Sequence, residues 1–242
     1  MPSCRAGVGQ DAILPYMRRS SLLLAIDTAS QMPSLALYDG ERVLAEETWR
    51  SANSHTVELM PSLVRMLERQ RVSPAELRGI AVALGPGSFT GLRIGLSLAK
   101  GLALTLTIPL IGIPTLYALV YAQERPRGPV CAVLQAGRGR VSAALYRRRQ
   151  GQWQQQGDYR LTSWEDLCAE IETRTFFCGE IDAQAVALLR ERLGDKAAVA
   201  SPASSLRRAG YLAELGWQRL ERGEVDDPAT LSPIYLRHPS IG

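Results

Sequence analysis

Gly85, Gly87, Ser88 and Thr90 are the residues whose types and spacing lend themselves most directly to chemistry. They stand in the string Gly85-Pro-Gly-Ser-Phe-Thr-Gly91, between the apolar run Ile80–Leu84 and a long apolar segment that starts at Phe89. An apolar run ended by Gly-Pro-Gly reads as a buried strand entering a tight turn. The segment that follows is long enough for a helix of about five turns. A helix N-terminus presents unpaired N–H groups and the positive end of the dipole. Two glycines let a backbone come close, and two hydroxyls add polar groups. The turn could therefore cradle a phosphate or another anion, with Arg93 one turn into the helix reaching toward it. The glycines follow neither the P-loop, which needs Gly-Lys-Ser/Thr, nor the G-x-G-x-x-G dinucleotide fingerprint. A tight turn that only brings strand and helix together uses the same residues, and both uses stay open.

Other reactive side chains are sparse. Asp27 ends the apolar run Leu22–Ile26, where a carboxylate holds a metal-bound water or, more commonly, accepts N–H groups of its own turn. His55 and His238 are the only histidines and cannot build a His-rich metal site. His55 opens a helix and reads as a capping or interface residue, with no partner base in sight. Cys4, Cys131, Cys168 and Cys178 form no C-x-x-C, so zinc and redox motifs are absent and a reducing compartment fits. The net charge of +4 permits an anionic partner without requiring one. Arg138, Arg140 and Arg147 to Arg149 flank a hairpin and could meet RNA phosphates, but no aromatic stacking pattern accompanies them, and a solvated face is the plainer reading.

The elements that must position these groups are legible from periodicity. Leu22–Ile26, Ser34–Tyr38 and Arg42–Trp49 read as a three-strand meander with Asp39-Gly40 as a hairpin turn. Asn53–Gln70 reads as a helix, bent at Pro61. Ser73-Pro-Ala-Glu76 is a capping box opening a short helix to Gly79. Ile80–Leu84, the helix from Phe89, a strand at Ile108–Ile111 and a helix at Thr115–Gln123 follow. The order is β-β-β-α-β-α-β-α, and residues 130–222 repeat it with a last helix at Leu206–Arg222. The expected divisions are an N-terminal extension at 1–20, a first domain at 21–125 and a second at 126–242, whose last helix and tail either stay with it or return to the first. The extension is either disordered or precedes a true start at Met17. Arg18, Arg19 and Leu22–Ile26 imitate a signal peptide, but the apolar stretch is too short.

The helix from Phe89 carries a second message. Gly91, Gly95, Ala99 and Ala103 recur at every fourth position, making one face a stripe of small residues, while leucines spread over the others. A helix apolar nearly all round is buried nearly all round. A sheet covers one side only, so a partner helix is expected on the small stripe, with Leu59, Leu63 and Met66 of the preceding helix and Leu92 and Leu102 completing the interface. A helix sandwiched inside one large domain is the alternative. A membrane span is the weaker reading, because Arg93 and Lys100 interrupt the helix.

Several strings together resemble the TsaB (YeaZ) family, the bacterial Gcp-like proteins of tRNA threonylcarbamoyladenosine synthesis. They are Leu24-Ala-Ile-Asp-Thr28, Gly85-Pro-Gly-Ser-Phe-Thr-Gly-Leu-Arg-Ile-Gly95, Lys100-Gly-Leu-Ala103, Ile111-Gly-Ile-Pro-Thr-Leu116 and Pro233-Ile-Tyr-Leu-Arg237. The resemblance implies an α/β fold of two tandem actin-like (ASKHA, ribonuclease H-like) half-domains. It implies a cytoplasmic, non-catalytic subunit that supports a TsaD-like catalytic subunit and a TsaE-like ATPase, with a homodimer when alone. The complex forms N6-threonylcarbamoyladenosine at position 37 of tRNAs reading codons that begin with A, and tRNA would meet this chain only indirectly or weakly. The catalytic paralogue holds its metal with a His-x-x-x-His pair just after the fifth strand, where this chain has Thr115 and Leu119. The first phosphate turn of the actin-like fold needs glycine, and residues 28–34 contain none. Many relatives carry Asp-Ala-Arg where this chain has Gln135-Ala-Gly137. No catalytic or metal residue and no cofactor is therefore expected here, with a nucleotide at a subunit edge near Gly85–Arg93 as the open alternative. The rival reading is a Gcp-like metallopeptidase-type or ATP-dependent enzyme acting alone.

Overall fold

The computed structural model describes residues 22–51, 55–123, 126 and 128–236. The N-terminal extension, the His55 side chain and His238 lie outside the described residues. The first half comprises β1 (Leu22–Asp27), β2 (Ser34–Tyr38), β3 (Val43–Thr48), α1 (His55–Gln70), β4 (Leu77–Gly85), α2 (Phe89–Leu106), β5 (Leu110–Pro114) and α3 (Thr115–Tyr121). The second comprises β6 (Val130–Gly137), β7 (Arg140–Arg149), β8 (Gln152–Ser163), α4 (Trp164–Ala169), β9 (Thr175–Gly179), α5 (Ala183–Leu193), β10 (Ala197–Val199) and α6 (Ala209–Glu221). The expected order β-β-β-α-β-α-β-α is present twice. Each half forms one five-stranded sheet, β3-β2-β1-β4-β5 and β8-β7-β6-β9-β10, so the repeat extends to strand order.

β1 is the centre of the first sheet, antiparallel to β2 and parallel to β4. A strand covered on both faces needs no polar alternation, which is why its first five residues are all apolar. Leu22, Leu24 and Ile26 face α1 and α2. Leu23 and Ala25 face the other way, toward Leu212, Leu215 and Leu220 of α6, the last helix of the chain. That second face is built from small residues, Ala25, Ala36, Ala81 and Ala83, and α6 approaches it closely. A Cβ on Gly216 would stand 2.5 Å from that of Ala81. The loop after α6 is stitched to β5: the amide of Gly112 donates to Asp226 (2.7 Å), and Arg219 donates to the Gly112 carbonyl (2.7 Å). α3 sits between the halves, with Ala118 against the first core and Leu116, Leu119 and Val120 in the second.

Several boundaries differ from expectation, three of them for a visible physical reason. The capping box at Ser73 forms, with the Ser73 amide donating to Glu76 (2.7 Å), but it opens only a single 3-10 turn, Pro74–Glu76. Leu77 already pairs with Leu22, so the sheet claims the residues that a longer helix would use. β5 starts at Leu110 rather than Ile108, because Thr107 closes α2 in the left-handed region and the Ile108 amide still donates to Ala103. α6 starts at Ala209 rather than Leu206, because Arg207 is diverted to another task.

Cys131 and Cys178 lie on neighbouring strands with no exposed surface. Burial pushes the Cys131 thiol up from its ordinary 9.0 to about 12 and moves Cys178 in the same direction. Both are expected to resist alkylation in the folded chain, as mass-spectrometric mapping would read; native labelling at either position would contradict this packing. The unfolded chain ionises the Cys131 thiol near its ordinary value while the folded chain cannot, so this group's stabilisation is complete below about 9 and is lost as pH rises toward 12.

Candidate functional site

A cleft of about 1230 Å³ runs between the halves. Ser30, Arg50 and Ser88 line it from the first half, Gly137 and Glu180 from the second, and Tyr235 of the tail from the rim. Glu180 lines the cleft, and behind that lining lies the buried Asp27 at the end of β1. One oxygen of Asp27 accepts the Ala29 amide at 2.8 Å, the use of its own turn anticipated above. The other accepts Arg207 Nε at 3.0 Å. Arg207 also donates to Glu180 Oε1 at 2.9 Å and to the Ser30 hydroxyl. Glu180 in turn accepts the Gln135 amide at 3.0 Å, and the Gln135 side chain donates to the Glu180 carbonyl at 3.2 Å. The Arg207 and Asp27 side chains are 4% and 5% exposed, so this is a buried ion pair joining the two halves. Burial alone would lower the pKa of Arg207, but Asp27 and Glu180 outweigh it and hold the guanidinium above its ordinary value. Sequence reading missed Arg207 and Glu180. The available signal was Arg207-Arg208 placed just before a helix, where positive charge opposes the dipole and calls for acidic partners; Arg208 finds Glu46.

The glycine turn serves the chain's own packing. The Ser88 amide donates to the Ala29 carbonyl at 2.6 Å, and a Cβ on Gly87 would strike that same carbonyl. Ser88 caps α2 by accepting the Gly91 amide at 3.2 Å. Thr90 is exposed at the start of the helix. The Gly85 amide is taken by Thr115 Oγ1 at 2.9 Å. Arg93 is exposed on α2 and engaged within the chain: its guanidinium lies 3.8 Å from the centre of the Phe89 ring, and its Nε donates to Tyr235 at 2.9 Å. The tail is fixed beside it, with the Ile234 amide donating to the Leu84 carbonyl at 2.7 Å.

The expected interface needs correction. Gly91, Gly95, Ala99 and Ala103 do not face outward; they lie on the sheet and on the turn after β1. Thr28 donates to the Gly91 carbonyl at 2.7 Å, and a Cβ on Gly95 would strike the Thr28 hydroxyl. Leu59, Leu63, Met66 and Leu92 are likewise buried in the first half's own core, and Leu102 is half-buried there. The apolar residues left outside are Val57 (70% exposed), Met60 (42%) and Val64 (43%) on α1, with Phe89 (54%) and Leu104 (69%) on α2. Ser97, Gly101 and Thr105 are exposed on α2 at four-residue spacing.

The residues at the metal positions that the resemblance points to do not fit a metal ion. Thr115 is fully buried and committed to Gly85, Leu119 packs in the second core, and both Asp27 oxygens are engaged. Among the described residues no three His, Cys, Asp or Glu side chains converge on one point.

Two sheets of matching order around a cleft define a tandem actin-like protein. A Listeria monocytogenes protein described as a candidate N-acetylmannosamine kinase shares this fold with a TM-score of 0.51 at 9% identity, over 83% of this chain and 99% of its own. A family model described as TsaD, tRNA N6-adenosine threonylcarbamoyltransferase, matches residues 42–232. The Bacillus subtilis tRNA threonylcarbamoyladenosine biosynthesis protein TsaB is 32% identical over 218 residues, covering 89% of this chain and 93% of that protein. YeaZ from Pseudomonas aeruginosa superposes with a TM-score of 0.74 at 27% identity, over 89% of this chain and all of that one (100%). The chain belongs to the TsaB (YeaZ) family.

Proposed function

We propose that this chain is a non-catalytic partner subunit in the formation of N6-threonylcarbamoyladenosine at position 37 of tRNAs reading codons that begin with A. It binds and supports a TsaD-like catalytic subunit, meets a TsaE-like ATPase in the same assembly, and pairs with itself when the catalytic subunit is absent. It works in the cytoplasm and has no cofactor of its own. The name of the Bacillus relative supports the biosynthetic role. The observation that carries the partner role is the outer face of α1 and α2, where Val57, Met60, Val64 and Leu104 stand in water. Val57, Met60 and Val64 fall on one face of α1 by helical spacing, and exposed apolar groups of this kind mark docking surfaces. Arg65, Arg69, Arg93 and Lys100 outnumber Glu58 and Glu68 on the same two helices, so a partner with acidic side chains is favoured. Thr115 and Leu119 offer no imidazole to a metal, which supports leaving the chemistry to the partner.

The test is co-purification with the TsaD-like subunit, together with the modified-nucleoside content of tRNA after depletion of this chain. A stoichiometric complex and loss of the modification are expected. Normal modification without the chain, or stoichiometric metal and micromolar ATP binding by the isolated monomer, would sink the proposal.

A further inference from the structure

Beside the cleft, two carboxylates from different halves of the molecule meet on one side chain, the buried Asp27 at the end of β1 and the cleft-lining Glu180 just after β9. Converging carboxylates repel one another and normally recruit a cation. Here the cation is part of the chain. Arg207 donates from Nε to Asp27 (3.0 Å), from one terminal nitrogen to Glu180 (2.9 Å) and from the other to Ser30, so each of its three nitrogens has a partner. Its planar fork suits paired carboxylates, and no oxygen facing it from Asp27 remains unused. It stands immediately before α6, the helix that returns to the first sheet, so one side chain ties together both strand ends and the returning helix.

We propose that Arg207 is a built-in cation: it fills the position that Asp27 and Glu180 would otherwise present to a divalent ion, and it fastens the two halves without one. The consequence is a cleft whose geometry does not depend on divalent metal. This inference is independent of the partner role proposed above and can hold or fail separately from it.

Thermal melting of the full chain tests the proposal. Wild-type protein is expected to melt at the same temperature in millimolar MnCl2 as in sodium chloride of equal ionic strength. Arg207→Ala leaves an uncompensated buried charge and is expected to melt roughly 6–20 °C lower. Millimolar guanidinium or Mn2+ should recover a large part of that loss by entering the vacated space. Arg207→Met fills the space with an apolar side chain and should recover nothing from either ion. Asp27→Asn combined with Arg207→Met removes one carboxylate as well and should melt above Arg207→Met alone. The proposal is overturned if Arg207→Ala melts like wild type, if neither ion rescues it, or if the double variant melts no higher than Arg207→Met. Should the single variants fail to fold, Mn2+ titration of the wild-type chain decides: stoichiometric binding there overturns the proposal, and no binding supports it.

Discussion

Replacing Gly95 with leucine is expected to destabilise the fold of the free chain itself. The new side chain would start on the Thr28 hydroxyl, which is buried and donates to the Gly91 carbonyl at 2.7 Å. Relief requires the turn after β1 to lift off α2, and that turn carries Ala29, whose carbonyl holds the Ser88 amide. Overpacking of this kind costs about 1–3 kcal/mol and sometimes more. Loss of the Thr28 hydrogen bond adds about 1 kcal/mol. Against a typical total stability of about 5–15 kcal/mol, a melting point roughly 4–16 °C lower, or an insoluble product, is the expected result. Circular dichroism melting checks it. An unchanged melting point with loss of the catalytic partner would return the small-residue stripe to the interface and contradict the packing described above.

Gly101→Leu should stabilise the free chain and weaken the partner contact. Gly101 is exposed in the interior of α2, and a Cβ there would meet nothing within 4 Å. Glycine at such a position costs a helix about 1 kcal/mol, and nothing inside the molecule requires it. On the docking face proposed above, a partner's backbone close to α2 would need that clearance, with Ser97 and Thr105 one turn away on either side. The leucine variant is therefore expected to melt roughly 2–4 °C higher as the free chain. Its affinity for the TsaD-like subunit should fall by about tenfold or more, the equivalent of about 1.4 kcal/mol of clash at the contact. Melting and calorimetric titration on the same preparation read both effects. A stabilised variant that binds normally would remove Gly101 from the docking face.

Most of the fold could be read from the chain because its signals are local. The apolar run at Leu22, the Asp39-Gly40 turn and the Ser73 capping box each announce an element within a few residues. The doubled element order then follows by counting. The direction in which α2 faces could not be read. Its small residues and its leucines are both apolar, so periodicity says that two surfaces are covered without saying which one meets the sheet. The β1 turn decides, because Thr28 and Ala29 need glycine-sized clearance. The Asp27–Arg207 pair spans 180 positions of sequence, and nothing near either residue names the other. Gln135, conspicuous as a departure from the relatives' pattern, turns out to brace Glu180.

Because α6 closes the alanine-lined side of the first sheet, that sheet cannot be finished when its own strands have been made. Synthesis from the end of β5 at Pro114 to the end of α6 at Glu221 takes about 5–20 s at ordinary elongation rates. Throughout that interval a nascent chain would carry a bare, flat, apolar surface, the kind of surface that trigger-type chaperones shield at the ribosome. A gene cut between the repeats would make the interval permanent, so the two repeats, however alike in plan, are one inheritance and not two separable modules.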